Sequence, residues 1–176
     1  MTSPRHARWA LVALMALVAT LSGCGLRAEP MAREGATIFT VGDCVAIPDH
    51  DPGNGALKAT KAGCNADPSY TVGALTDKSG ACPSNEYQHL PTQFADPETS
   101  RLCLVPNLVA DHCYVLDMPI GVVQLADCTD KRQAGLLVQV TQRLDVRDQQ
   151  ACPSDVGEFA WPYPSPPRTY CTLTIY

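Results

Sequence analysis

The chain has 176 residues, with 13 Lys and Arg against 18 Asp and Glu and a formal net charge of −5. No basic cluster or basic-aromatic stripe offsets that balance, so nucleic acid is not an expected partner, and an anionic membrane surface offers the body no electrostatic attraction. Nine cysteines and 15 prolines point instead to a disulfide-built, turn-rich protein of an oxidising compartment.

The first element reads as an export signal. Arg5 and Arg8 precede an apolar run over residues 9–21, which closes on Leu21, Ser22, Gly23 and Cys24. A helix that crosses a bilayer takes roughly 20 apolar residues; this run is shorter, so cleavage is expected rather than a permanent span. The closing tetrapeptide resembles the bacterial lipobox, an aliphatic residue and two small ones ahead of a cysteine. The resemblance implies that residues 1–23 are removed and that Cys24 carries a diacylglyceryl group on its thiol. Several acyl chains, at about 0.8 kcal/mol per buried CH₂, hold a protein durably on a membrane. The expected location is the extracytoplasmic face of the cell membrane, with the N-terminal lipid as anchor. Residues 24–36 are polar and rich in small side chains, and read as the lipidated terminus and a tether.

Residues 37–108 and 109–176 read as two related modules of four cysteines each. In the first, Val41, Gly42, Asp43 and Cys44 come before Cys64, an alternating run over residues 70–75, the tetrapeptide Ala81-Cys82-Pro83-Ser84, and Cys103-Leu104. The second runs the same way. Asp111, His112 and Cys113 lead to Cys128, an alternating run over residues 136–144, Ala151-Cys152-Pro153-Ser154 and Cys171. The two identical tetrapeptides lie about 70 residues apart, and duplication is the simplest account of them.

A module of that size buries only about 60% of the surface its unfolded chain exposes, so disulfides are needed to complete its stability. Eight cysteines allow 105 pairings, and the sequence alone does not choose among them. Requiring both modules to pair internally and alike leaves three. The favoured one is sequential, Cys44 with Cys64, Cys82 with Cys103, Cys113 with Cys128 and Cys152 with Cys171, on the premise that consecutive strands are neighbours.

The expected fold class is mainly β, with α+β and short helices as the variant. Alternation in residues 70–75, 136–144 and 171–176 predicts strands. Asp49, His50, Asp51, Pro52, Gly53, Asn54 and Gly55 predict a hairpin loop. Residues 84–96 have room for one short helix. Residues 161–167 do not, because their prolines force extended geometry.

Taken together, the lipobox, Val41-Gly42-Asp43-Cys44-Val45, the run from Lys58 through Gly63 to Cys64, the paired Ala-Cys-Pro-Ser motifs and Cys103-Leu104 resemble LppU-type lipoproteins of mycobacteria and related actinobacteria. The resemblance covers essentially the whole chain, and its specificity lies in the ordered set. It implies a cell-envelope lipoprotein and carries no established activity. The Gly-Asp-Cys-Val opening is also similar to septum-formation-type exported domains, in which a histidine follows the second cysteine. Asn65 and Thr129 stand there instead, so no division role is transferred.

No catalytic residues are expected. The chain lacks a Gly-x-Ser-x-Gly elbow, a His-Glu-x-x-His helix and a phosphate-cradling glycine loop. His6 leaves with the signal, and His50, His89 and His112 have no motif spacing. Asp49, Asp51 and Asn54 miss the EF-hand pattern, since Thr60 stands where a bidentate Glu is required, so neither a metal nor a cofactor is expected. The one candidate binding loop holds Trp161, Tyr163 and Tyr170, whose rings either face a glycan, peptide or envelope protein or cover their own sheet. The leading expectation is a non-catalytic binding or structural protein. The alternative is an envelope hydrolase or transferase with a dispersed active site.

Overall fold

The computed structural model describes residues 38–48, 55–117, 121–130, 132 and 134–176. The export signal, Cys24, the tether and most of the expected hairpin loop, His50 included, lie outside the described residues.

Among the described residues ten strands form two five-stranded antiparallel sheets. The first holds β1 (Cys44–Ala46), β2 (Thr60–Lys61), β3 (Ser69–Leu75), β4 (Gln88–His89) and β5 (Leu102–Asn107), in the spatial order β2-β1-β3-β5-β4. The second holds β6 (Cys113–Asp117), β7 (Val122–Ala126), β8 (Leu136–Leu144), β9 (Glu158–Pro164) and β10 (Pro167–Thr174), in the order β7-β6-β8-β10-β9. Replacing each strand of the first sheet by the one five places later gives the second. The correspondence extends to a bulge. Val72 faces Leu104 and Ala74 faces Cys103, which leaves Gly73 as the extra residue on β3. Val140 faces Thr172 and Gln142 faces Cys171, which leaves Thr141 as the extra residue on β8. The same β-rich, duplicated plan was the sequence expectation.

The disulfides are Cys44–Cys64, Cys82–Cys103, Cys113–Cys128 and Cys152–Cys171, with Cα separations of 5.1, 5.7, 5.2 and 5.3 Å, within the range a disulfide spans. In each module one bond ties the start of the first strand to the turn beyond the second. The other ties the loop ahead of the fourth strand to the fifth. Strands β2 and β4 have two residues apiece, too few for a ladder to hold by itself, so the bonds fasten these edges to the sheet centre.

The two sheets share one core. Val45, Tyr70, Val72, Leu102, Leu104 and Leu108 of the first module belong to the same buried cluster as Tyr114, Val122, Val138, Val140, Tyr163 and Tyr170 of the second. Three of these tyrosines also carry a hydroxyl that reaches across. Tyr70 accepts from the N–H of Val123 at 2.9 Å. Tyr170 donates to the carbonyl of Pro106 at 2.7 Å and accepts from the N–H of Leu108 at 3.0 Å. Tyr114 donates to Asp67 at 2.5 Å and accepts from the N–H of Val109 at 2.9 Å. A buried phenol needs such a partner, because an unsatisfied hydroxyl in the interior costs about 1–3 kcal/mol.

Two sequence expectations need correction. Residues 84–96 form turns and the two-residue β4 rather than a helix. The N–H of Leu57 bonds the carbonyl of Phe94 at 2.8 Å and the N–H of Asp96 bonds the carbonyl of Leu57 at 2.9 Å, so backbone groups a helix would use are spent on a neighbouring segment; the short helical turn comes later, at Thr99–Arg101. Residues 161–167 are not a loop but most of β9 and the start of β10, joined by a tight hairpin. Their prolines do enforce extension. Pro162 and Pro164 sit two apart on the sheet's edge strand, where a missing N–H costs no ladder bond and blunts pairing with another chain.

Candidate functional site

The hairpin that was the candidate binding loop is mostly spent on the core. Tyr163 is 8% exposed and Tyr170 is 0% exposed, and their rings meet edge to face with centroids 6.1 Å apart. Trp161 is half-buried against the same cluster. These aromatics therefore cover their own sheets. Beyond them the hairpin tip reaches the first module, where a Cβ built on Gly73 would stand 2.0 Å from the carbonyl oxygen of Ser165. Only glycine allows that approach.

The two described histidines, His89 and His112, have different partners. In β4, Nε2 of His89 donates to the carbonyl of Ser100 at 2.8 Å. At the start of the second module, Nδ1 of His112 lies 2.6 Å from Asp67, whose other oxygen holds the Tyr114 hydroxyl. An Asp–His pair invites a catalytic reading. Here, however, the third member is a phenol that donates to the same carboxylate, and its burial, with that hydrogen bond, raises its pKa well above the usual value of 10.0. A neutral, buried phenol bonded away from the imidazole is no nucleophile for it. The cluster fastens one module to the other.

A second polar junction lies deeper. Nη1 of Arg168 donates to the carbonyl of Pro106 at 3.1 Å, to Oδ1 of Asn107 at 2.6 Å and to the hydroxyl of Tyr170 at 3.1 Å. Asn107 also accepts from Thr71 at 2.9 Å and donates to Ser69 at 3.0 Å. Every one of those side chains is buried or half-buried, which makes this a structural hub.

Two of the open concave surfaces among the described residues occupy equivalent places in the two modules. In each module the loop after the third strand turns back over the edge strand and leaves a groove. The second module's groove has a volume of about 780 Å³ and is lined by Arg147, Asp148, Gln149, Gln150, Ser154, Glu158 and Phe159, with Glu86 of the first module closing one side. The first module's groove, of about 450 Å³, is lined by residues 76–80 together with His89 and Arg101.

Local hydrogen bonds shape the larger groove. Asp148 takes the N–H of Gln150 at 2.9 Å, and its own N–H bonds Thr169 at 3.0 Å. Glu158 accepts from the N–H of Asp155 at 3.1 Å. Arg147 spans the module boundary to Glu86 at 2.9 Å. Phe159, on the edge strand, keeps 53% of its surface exposed. The wall thus combines one open aromatic face with amide, carboxylate, hydroxyl and guanidinium groups.

Neither groove was read from the sequence. Arg147, Glu158 and Phe159 stand in no motif, and Glu86 meets Arg147 only through the sheet-on-sheet packing. Comparison of the chain with protein-family models, curated proteins and solved structures found no match. Among the described residues no group of three His, Cys, Asp or Glu is placed to hold a metal, and no helix is long and apolar enough to cross a membrane.

Proposed function

We propose that the chain is an exported, lipid-anchored protein of the cell envelope, of the LppU type, which binds a glycan in the groove beside Phe159 and does no chemistry on it. The location and anchor rest on residues 1–24: a basic start, a short apolar run and a lipobox-like end at Cys24.

The observation that carries the binding reading is the exposed Phe159 ring set among polar side chains that can donate and accept. A sugar ring has an apolar face that packs on an aromatic and a rim of hydroxyls. Such a ligand suits carboxylates held by the fold and exposed amides beside them. The groove's volume lies within the usual span of small-ligand sites. Glu158 and Asp148 each accept a hydrogen bond from nearby backbone, which holds their carboxylates in place as acceptors for sugar hydroxyls.

The test uses the full-length chain in detergent with a tetramer of N-acetylglucosamine as probe, followed by isothermal titration. Saturable binding weakened at least tenfold by Phe159→Ala supports the reading. No binding, or binding that Phe159→Ala leaves unchanged, removes it. The anchor has its own test. Cys24→Ala moves the protein from the membrane to the soluble fraction and abolishes labelling by a fatty-acid analogue; a variant that stays lipidated and membrane-bound sinks the anchor.

A further inference from the structure

We propose that the first module's groove is a separate site for a small oxyanion, a phosphate or a carboxylate. This inference does not depend on the glycan reading, because it concerns other residues in the other module.

The groove brings Lys78, His89 and Arg101 to one concave surface of about 450 Å³, in a chain whose overall charge is −5. Among the described residues no carboxylate lies within ion-pair distance of Lys78 or Arg101, while Lys61, Arg143 and Arg147 are all paired. One acid lines the groove, Asp77. Its Oδ1 is taken by the N–H of Ser79 at 2.8 Å, the hydroxyl of Ser79 at 2.6 Å and the N–H of Ala81 at 3.2 Å. That carboxylate is turned onto its own loop, where those bonds, the Ser79 hydroxyl foremost, hold its pKa below the usual value of 3.8. It stays ionised but is committed to the turn and forms no ion pair with Lys78 or Arg101, so the groove keeps a net positive lining.

His89 adds direction. The carbonyl of Ser100 can only accept, so Nε2 must carry the hydrogen of their 2.8 Å bond. The remaining ring atom, Nδ1, accepts from a protonated oxyanion such as hydrogen phosphate when the ring is neutral. It donates to a fully ionised oxyanion when the ring is charged. Arg101 supplies a planar fork matched to phosphate or carboxylate oxygens, and Lys78 a point charge.

The duplication sharpens the case. His89 faces Cys103 across the ladder and Ala160 faces Cys171, so the imidazole stands where the second module has a methyl group. The two equivalent grooves have acquired different chemistry.

The experiment titrates the full-length chain in a phosphate-free neutral detergent with inorganic phosphate, and separately with acetate, at constant ionic strength. Saturable binding of at least one of them is expected. Arg101→Gln and Lys78→Gln each weaken it at least fivefold and the double variant abolishes it, while Arg132→Gln, an exposed arginine of the second module, leaves it unchanged. The two titrations say which oxyanion is preferred. A thermal melt confirms that each variant is folded, as expected for side chains that reach into solvent. Absence of saturable binding by both anions, or binding that survives in the double variant, overturns the proposal.

Discussion

The two modules agree in strand order, bulge position and disulfide placement, and they differ at the outer edge. In the first, β4 has two residues and the chain then wanders through turns and a helical turn before β5. In the second, β9 has seven residues and returns directly into β10 as a proline-rich hairpin. The difference teaches where a duplicated small fold is free to change. Its centre is held by ladders, disulfides and a core common to both copies, whereas the edge is fastened to the centre by one disulfide and tolerates a rebuilt strand, a new groove lining and a new charge.

The largest test of that comparison removes one equivalent disulfide at a time. Cys82→Ser with Cys103→Ser, or Cys152→Ser with Cys171→Ser, should each lower stability by about 3 kcal/mol in the chain-entropy model, since the loops closed are alike. Because one core serves both sheets, each variant should still unfold in a single denaturant transition. Two separated transitions would break the shared-core picture and make the modules independent.

Asn107→Ala should follow, with a loss of about 2–3 kcal/mol, as it strips the buried Arg168 guanidinium of a hydrogen-bond partner; chemical denaturation measures it. Gly73→Ala and Thr141→Ala probe the two equivalent bulges. The first drives a methyl group into the Ser165 carbonyl and should cost about 1–3 kcal/mol. The second removes a partly buried hydroxyl that donates to the carbonyl of Cys171 at 3.1 Å, a loss of about 1 kcal/mol. Equal losses would mean that the hairpin tip does not press on β3.

The smallest effects concern charge. Glu86→Gln removes a partly exposed ion pair with Arg147 and should change stability by less than about 1 kcal/mol, with its larger signature in glycan binding. At high pH, Tyr114 and Tyr163 both have phenols whose pKa burial raises above 10.0. A raised folded pKa gives stability that is fully present below the unfolded value and is lost as pH climbs through the folded one. Denaturation midpoints should therefore fall from about pH 10 upward, and less steeply in Tyr114→Phe. A pH-independent midpoint would show that these phenols are not buried in solution.

Much of this architecture is legible in the chain because it is written locally. Alternation marks β3, β8 and β10, and the cysteines with their repeated neighbours mark the duplication, since a period-two pattern and a covalent staple each constrain nearby residues. The room for a short helix in residues 84–96 goes unused for a tertiary reason: Gln88 and His89 pair with β5, and Leu57 bonds the backbone of Phe94 and Asp96. Trp161, Tyr163 and Tyr170 illustrate the same limit. An aromatic-proline run looks the same in sequence whether its rings meet a ligand or a neighbouring sheet.

The sequence by itself determined the strand-rich class, the two-copy plan and the residues available for cross-linking, because each depends on spacing along the chain. Only the tertiary structure decided that the copies merge into one core, that Asp67 joins His112 and Tyr114, and that Arg147 meets Glu86 beside Phe159. Those contacts join residues dozens of positions apart, and which of them meet is set by the packing of one sheet against the other, a quantity no local pattern encodes.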